Sequence, residues 1–373
     1  MKYRRFGRTE QQLSILSLGT MRFPSAKAAC EVVEAAIASG INHLETAPAY
    51  GASEQYIGEA LHTLQVPREQ IAITTKLTPT VRAEEVAPAI ERSLSQLGVD
   101  YIDCLAVHGI NTQEHLRWFE TEMQTALEQA IASGKIRHVG FSTHGSLDLI
   151  LGAIATRAFS FINLHYNFFF QRNAPAIAQA HQQDMGVFII SPADKAGLLY
   201  TPPERLKDLC KPYDPLLLSY RWLLSDPRIT TLSVGPAVAQ ELDWPLQVAE
   251  QDGPLGEEEQ RAIARLEHAQ REALGTDLCE QCHQCLPCPE TINIPEVLRL
   301  RNVAIAYDLQ AYGQYRYGMF ENAGHWFWGS RGNRCTDCGD CLPRCPQQLD
   351  IPTLLRDTHQ QLKGKKRRRL WDE

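Results

Sequence analysis

Residues 26–54 read Ala26-Lys-Ala-Ala-Cys30-Glu-Val-Val-Glu-Ala-Ala-Ile-Ala-Ser-Gly40-Ile-Asn-His-Leu-Glu45-Thr-Ala-Pro-Ala-Tyr50-Gly-Ala-Ser-Glu54, and this run decides the fold. Ala29, Val32, Val33, Ala36 and Ile37 recur at i, i+3, i+4, i+7 and i+8, the apolar stripe of a helix facing a core. Gly40 sits where a helix C-terminal glycine belongs. A short β-rich run, His43–Ala47, follows at once, and a helical pattern resumes at Ser53.

The same alternation fills most of the chain. Strands are predicted at Ile15–Gly19, His43–Ala47, Ile71–Leu77, Ile102–His108, Ile136–Ser142, Phe161–Tyr166, Val187–Ser191 and Ile229–Val234. Helical patterns lie between them at Ala26–Ser39, Ser53–Leu64, Ala83–Leu97 and Gln113–Ser133, the last followed by Gly134. Eight such units match an α/β fold of the (β/α)8 TIM-barrel type, for which about 250 residues is the usual size. An open doubly wound sheet opens with a glycine-rich first turn. Here Gly19 is followed by Thr20-Met21-Arg22, and G-x-G-x-x-G occurs nowhere, so the barrel is preferred.

At 373 residues the chain outruns one such barrel. Its 44% hydrophobic and 22% charged residues exclude disordered and fibrous classes. No run approaches the ~18 consecutive apolar residues of a membrane span. A net charge of −7 gives no electrostatic reason to expect nucleic acid as a partner. Arg4-Arg5-x-Gly7 resembles a twin-arginine export signal, but Arg8–Gln12 is polar and no small-residue cleavage site follows. The segment reads as mature protein.

Of eleven cysteines, Cys30, Cys104 and Cys210 are scattered, and eight crowd between Cys279 and Cys345. A disulfide scaffold spreads its cysteines through a short secreted chain, so a reducing, cytoplasmic compartment is expected. The boundary falls near residue 275: a barrel over 1–275, then a small helical, cysteine-rich domain over 276–373 with a basic tail. The second part carries an internal repeat. Cys288-Pro289-Glu-Thr-Ile-Asn-Ile-Pro295-Glu-Val-Leu-Arg299 returns as Cys345-Pro346-Gln-Gln-Leu-Asp-Ile-Pro352-Thr-Leu-Leu-Arg356. Asn293 and Asp350 are helix-entry residues, and the prolines after them suit a first turn. Tyr312, Tyr315, Tyr317, Phe320, Trp326, Phe327 and Trp328, between the copies, are expected to form a small core packed around whatever the cysteines bind. Lys363-Gly-Lys365-Lys366-Arg367-Arg368-Arg369 reads as a solvated tail.

The cysteine spacing is the sharper signal. Cys279-x2-Cys282-x2-Cys285-x2-Cys288-Pro is followed by Cys335-x2-Cys338-x2-Cys341-x3-Cys345-Pro. Three thiolates within seven residues wrap three irons of one cubane, and in two-cluster ferredoxins of this spacing the fourth ligates the other cluster. Two [4Fe–4S] clusters follow, one on Cys279, Cys282, Cys285 and Cys345, the other on Cys335, Cys338, Cys341 and Cys288, and 276–373 is expected to be a small α-helical dicluster ferredoxin-like domain. Structural zinc usually takes two ligands from each of two distant knuckles, not four within ten residues. The first run departs from the pattern in having x2 before its last cysteine.

At successive strand ends, where barrel active sites sit, stand Glu45, Lys76 and His108, with Tyr50 in the loop after Glu45. A tyrosine, with a pKa of about 10, is a poor acid unless its phenolate is stabilised. A lysine cation does that, a carboxylate fixes the lysine, and a histidine orients a carbonyl. The set suits protonation of a carbonyl oxygen while hydride reaches carbon.

At this point the chain resembles the aldo-keto reductase superfamily over roughly residues 1–275, on the Glu45-Thr-Ala-x-x-Tyr50-Gly-x-Ser-Glu54 motif with Lys76 and His108. The resemblance implies a (β/α)8 barrel binding NADPH in extended form. It implies an acid at Tyr50, its lysine partner at Lys76 and a substrate-site histidine at His108, with the family aspartate falling on Glu45. Gly140-Phe-Ser142-Thr143 looks like the segment holding the nicotinamide carboxamide, Thr143 standing in the place of an asparagine. Asn163 stands where a glutamine is usual. Ile190-Ser191-Pro192 lies where an aromatic usually stacks. Ser233-Val234-Gly235 resembles the phosphate loop, with Gln240 and Glu241 where an arginine is expected. NADP(H) or NAD(H) is therefore the implied cofactor, through Ser142, Thr143, Asn163, Ser191 and Gly235. A subset of the superfamily carries a C-terminal two-cluster ferredoxin domain, and the whole chain resembles it.

The reading that results is an iron–sulfur oxidoreductase of aldo-keto reductase type. It links NAD(P)H-dependent carbonyl reduction, or its reverse, on a carbonyl or quinone-like small molecule to electron transfer through the clusters. Hydride carries two electrons and clusters pass one at a time, so a two-to-one converter such as a flavin, or a redox partner protein, is implied; a flavin is possible as a cofactor, though no dedicated flavin motif supports it. The alternative is a non-enzymatic redox-sensing or electron-transfer protein with a nucleotide-binding barrel.

Overall fold

A computed structural model describes residues 1–193 and 198–367. Two compact units divide the chain: Met1–Pro192 with Ser219–Pro254, and Ala193–Leu218 with Leu255–Glu373.

The first unit opens with an antiparallel hairpin, β1 (Tyr3–Arg5) and β2 (Gln12–Ser14). Eight parallel strands then close a barrel: β3 (Leu16–Gly19), β4 (His43–Glu45), β5 (Ala72–Leu77), β6 (Ile102–Val107), β7 (Ile136–Thr143), β8 (Phe161–Leu164), β9 (Gly186–Ile189) and β10 (Thr231–Val234). Each overlaps a stretch where the hydrophobic pattern predicts a strand, β7 running one residue past it to Thr143 and β9 starting one residue before it at Gly186. Chain order is spatial order, with β10 pairing back onto β3. The connecting helices include α1 (Ala26–Ala38), α2 (Ser53–Thr63), α3 (Ala83–Leu97), α4 (Gln113–Trp118), α5 (Gln124–Ala132), α6 (Leu147–Ala155) and α7 (Ala174–Gln182). Ala29, Val32, Val33 and Ala36 form the buried stripe of α1, and Gly40 follows it with φ +87°. The single helix expected over 113–133 is broken by one π-helical turn, Phe119–Met123.

The hairpin, which the strand pattern does not predict, closes the N-terminal end of the barrel. Phe6 and Leu13 pack with Cys104, Ala106, Phe161 and Phe188 from the interior. The Phe6 ring lies so close to Gly186, at the start of β9, that a Cβ there would fall 2.2 Å from it. Burying each such phenylalanine stabilises the unit by roughly 1.5–3 kcal/mol. Above this plug lies a polar layer. His43 bonds Ser17 through Nδ1 and Thr74 through Nε2, each at 2.7 Å, and Ser17 bonds Thr231 at 2.7 Å. Burial and then the Lys76 charge push His43 down to about 3, so the imidazole is neutral. The layer ties β3, β4, β5 and β10 together just beneath the barrel's C-terminal mouth.

The second unit contains α8 (Glu204–Cys210), α11 (Glu257–Leu274), α12 (Ile294–Tyr307), α13 (Gln310–Tyr317) and α14 (Ile351–Leu362); α9 (Pro215–Leu224) and α10 (Asp243–Leu246) precede α11 in the chain. α12 is buried on nearly every side and packs against α11, α13 and α14. Its Arg299 is 1% exposed, paired with Glu296 at 2.7 Å and bonded to the Tyr312 hydroxyl at 3.2 Å. The repeat is visible in the caps: Asn293 accepts the Glu296 N–H and Asp350 accepts the Thr353 N–H, each followed by proline in the first turn. The aromatics pack on one another, Phe320 against Tyr317 and Phe327. The basic run is described only to Arg367, whose N–H bonds Gly318 O at 2.9 Å and whose guanidinium lies over the Tyr315 ring. Arg368 and Arg369 lie outside the described residues. No described helix is long and apolar enough to cross a membrane.

Candidate active site and cluster-binding cysteines

The loop after β4 is held by short side chains. Thr20 donates through N and Oγ1 to the Glu45 carbonyl, Ser53 Oγ donates to Thr20 Oγ1 at 2.6 Å, and Thr46 and Ser53 bond at 3.0 Å. Gly51 makes the turn into α2 at φ +63°, a conformation that costs glycine little. Tyr50 is thereby presented beside the ends of β5 and β6. Thr20 and Ser53 belong to the site's frame, yet neither has a residue type that marks it in sequence.

Glu45 and Lys76 form a hydrogen-bonded ion pair, both buried. Lys76 Nζ also donates to the Thr46 carbonyl at 2.7 Å and to the Tyr50 hydroxyl at 3.0 Å. Those three acceptors use all three donors of the ammonium. The Tyr50 oxygen accepts from Lys76, which leaves its own proton to be donated elsewhere. His108 stands edge-on to the Tyr50 ring, centroids 5.8 Å apart at 88°. Burial pulls Lys76 down, but Glu45 and Tyr50 outweigh it and hold the ammonium above its ordinary value. Burial and the Glu45 charge raise Tyr50, against the opposing Lys76 cation. The four residues named at the strand ends are thus brought together. Beside them Glu54 is 1% exposed, its carboxyl raised by burial while it accepts from Thr75 at 2.5 Å. A cleft of about 190 Å³ is lined by Ala49, Glu54, Lys76, Thr78, Arg92 and His108, among others.

On the other side of the mouth, register sets Ser142 opposite Asn163. Asn163 is 0% exposed, and neither its amide nitrogen nor its oxygen has a hydrogen-bond partner in the protein. A buried amide left so costs about 1–3 kcal/mol, and a ligand amide is the kind of group that would satisfy it. Ser142 Oγ accepts the Gly109 N–H at 2.9 Å and keeps its own proton to donate. Thr143 donates to Ile110 O at 2.7 Å and accepts the Gly145 N–H, so its hydroxyl has one lone pair left over. Ser191 lies just past β9 at φ +50°, and Gly235 follows β10, its carbonyl bonded by Arg22. These residues fit a nicotinamide carboxamide at Ser142 and Asn163.

In the second unit the eight clustered cysteines surround two cavities. Cys279, Cys282, Cys285 and Cys345 line one, with Ile294, Leu298 and Ile351. Cys288, Cys335, Cys338 and Cys341 line the other, with Pro352 and Leu355. The apolar lining is aliphatic and comes from the repeat, not from the aromatic stretch. Each cavity thus takes three cysteines from one run and the last from the other. Burial pushes Cys279 up to about 11, and burial and neighbouring thiolates push Cys285 up to about 12. Thiolates gathered this way need a compensating positive charge, which bound iron provides. Among the described residues no three His, Cys, Asp or Glu side chains converge closely enough for one metal ion. A cubane does not need that, because each thiolate binds a different iron. All eleven cysteines are unpaired.

Comparison with known proteins finds a family model for each of two parts of the chain. The aldo/keto reductase family model matches residues 15–267, and that of the 4Fe-4S dicluster domain matches 278–349. The chain is 26% identical over 219 residues to aldo-keto reductase family 1 member A1 of Mus musculus, covering 52% of this chain and 66% of that protein. It is 24% identical over 294 residues to the uncharacterized oxidoreductase YrpG of Bacillus subtilis, covering 65% and 89%. The aldo-keto reductase AKR11C1 of Bacillus halodurans superposes with a TM-score of 0.62 at 22% identity, over 71% of this chain and 96% of that one, a likeness of fold. The chain belongs to the aldo/keto reductase family and carries a 4Fe-4S dicluster domain towards its C-terminus.

Proposed function

We propose that this oxidoreductase reduces a small-molecule carbonyl or quinone-like substrate, or runs the reverse reaction, with NAD(P)H in the barrel and two [4Fe–4S] clusters in the second part. The observation that carries the reading is Lys76 bonding Glu45 and the Tyr50 hydroxyl together, beside His108. A bound reduced nicotinamide supplies hydride to the carbonyl carbon. Tyr50 gives its proton to the carbonyl oxygen, Lys76 steadies the phenolate left behind, Glu45 holds Lys76, and His108 orients the oxygen. Ser142 and Asn163 would hold the carboxamide, with Thr143, Ser191 and Gly235 along the rest of the cofactor.

Residues 1–275 carry the carbonyl chemistry and 276–373 the clusters. Cys279, Cys282, Cys285 and Cys345 would ligate one cluster, and Cys335, Cys338, Cys341 and Cys288 the other. Because hydride brings two electrons and each cluster passes one, the proposal includes a redox partner protein. Eleven unpaired cysteines suit a reducing, cytoplasmic compartment.

The test is NAD(P)H oxidation by purified protein with a panel of aldehydes and quinones, wild type against Tyr50→Phe. Loss of turnover in the variant, with dinucleotide binding retained, is expected. Equal rates in the two proteins would remove the tetrad and leave a redox-sensing, nucleotide-binding barrel.

A further inference from the structure

The basic run after α14 is fastened to the protein at its described end. The Arg367 N–H donates to Gly318 O, just past α13, at 2.9 Å, and Arg331 Nη2 donates to the same carbonyl at 3.2 Å. The Arg367 guanidinium lies over the Tyr315 ring, 5.4 Å from its centroid. Gly318 leaves room for this passage: a Cβ there would fall 2.5 Å from Lys365 O. Lys363, Lys365 and Lys366 are exposed, and among the described residues none of the three pairs with a carboxylate. Arg331 leads into the 3-10 turn Gly332–Arg334, which Tyr317 holds by accepting the Gly332 N–H at 2.8 Å. Cys335 follows directly, its N–H on Gly332 O at 3.2 Å, and it lines the second cavity together with the exposed Cys338. A strap of positive charge is thus built onto the framework that presents one cysteine cavity.

The whole chain carries a net charge of −7, yet residues 363–369 hold six basic residues in seven. A local patch of one sign steers a partner of the other sign to it and fixes how that partner docks. A long polyanion would also meet the acidic remainder of the chain, whereas a compact acidic protein can touch the strap alone. Tyr315, the ring at the strap, is covered by Arg367, so it is not offered to a stacking base. We propose that residues 363–367 are the docking site of a small acidic one-electron carrier protein, seated beside the cluster of Cys335, Cys338, Cys341 and Cys288. In each encounter that cluster, reduced, gives up one electron and the oxidised carrier gains it, or the reverse. The inference rests on the reading of 276–373 as a two-cluster electron-transfer part.

The experiment uses the full-chain, cluster-loaded protein, with a plant-type [2Fe–2S] ferredoxin of strongly negative surface as the probe. Binding is measured by anaerobic calorimetry at several salt concentrations. Wild type should bind the ferredoxin at low ionic strength and release it as salt screens the charges. The triple variant Lys363→Gln, Lys365→Gln, Lys366→Gln changes only exposed side chains, which disturbs folding little. It should bind about tenfold more weakly and with a shallower salt dependence, while NAD(P)H oxidation in the barrel is unchanged. Gly318→Ala keeps every charge but collides with the strap at Lys365 O, and should weaken binding about threefold. No ferredoxin binding by wild type, or equal binding by wild type and the triple variant, overturns the docking site. Gly318→Ala binding as wild type does would overturn the fastened strap as its basis. Tighter binding of a duplex DNA oligomer than of ferredoxin, lost in the triple variant, would give the strap to nucleic acid instead. Wild type purified anaerobically without iron overturns the cluster reading, and this inference with it.

Discussion

Asn163 stands opposite Ser142 in the parallel register of β7 and β8, with both polar atoms of its amide buried and without a partner in the protein. Such a group lowers the stability of the free protein and is useful only to a ligand. Asn163→Leu keeps the volume roughly constant and removes the orphaned polarity. It should raise folding stability by about 1 kcal/mol, read as a higher urea midpoint at unchanged slope. The same variant should weaken dinucleotide binding about tenfold. A lower midpoint would mean that the amide serves the fold, and the carboxamide reading of Ser142 and Asn163 would lose its support.

The Glu45–Lys76 pair gives a test of charge against size. Both side chains are almost wholly buried, so removing one charge strands the other. Glu45→Gln should cost roughly 3–5 kcal/mol. Glu45→Asp keeps the charge and leaves a gap of one methylene, and should cost about 1 kcal/mol. Chemical denaturation of the three proteins at neutral pH separates the two effects. Equal losses in the two variants would show that packing, not charge, fixes Lys76.

Much of the barrel was legible because its strands are short apolar runs separated by amphipathic helices, and Gly40 and Gly134 end helices where they should, at φ +87° and +75°. The hairpin β1–β2 was not, because Phe6 and Leu13 have no local period and are fixed only by the interior they plug. That Glu45, Tyr50, Lys76 and His108 lie close together was legible from residue type at strand ends. The frame around them was not: Thr20, Thr46 and Ser53 act through hydrogen bonds between loops, and hydroxyl residues are common in loops of every kind. Arg22 and Glu241 pair across 219 residues, and no spacing rule joins an arginine after β3 to a carboxylate after β10. The cap residues Asn293 and Asp350 were readable because their geometry is local. The inclusion of α8 with α11 and α12 in one unit depends on tertiary packing alone.

The pH dependence follows from the two raised groups. Tyr50 and Lys76 both hold their protons above their ordinary values of 10.0 and 10.5, Tyr50 through burial and the Glu45 charge, Lys76 through Glu45 and Tyr50 against burial. The folded state therefore binds these protons more tightly than the unfolded chain. The associated stability is present below the ordinary values and is lost as pH rises through the folded ones. Tyr50 keeps its proton across neutral pH, so carbonyl reduction should be nearly flat from about pH 6 to 9, whereas alcohol oxidation, which needs the phenolate, should rise with pH. Lys76→Met removes the cation that favours the phenolate and should move the rise to higher pH. Oxidation rates independent of pH in wild type would exclude Tyr50 as the group that exchanges the proton.

The cysteines offer a test of connectivity. Cys345 belongs to the second run but lines the first cavity, and Cys288 belongs to the first run but lines the second. If each cavity holds a cubane, the variants should fall into two classes by cavity and not by run. Cys345→Ser and Cys282→Ser should share one phenotype, losing about half of the iron and the visible thiolate-to-iron absorbance, and both losing the same paramagnetic signal on reduction. Cys288→Ser and Cys338→Ser should share the other. The x2 spacing before Cys288 makes that residue the decisive one, since a shorter reach favours its own run. If Cys288→Ser instead matches Cys282→Ser, the first run closes on itself and Cys345 must do the same on the second. Stoichiometric zinc in anaerobically purified wild type would overturn both arrangements, because one zinc ion per cavity would draw the four sulfurs to about 2.3 Å from a single centre.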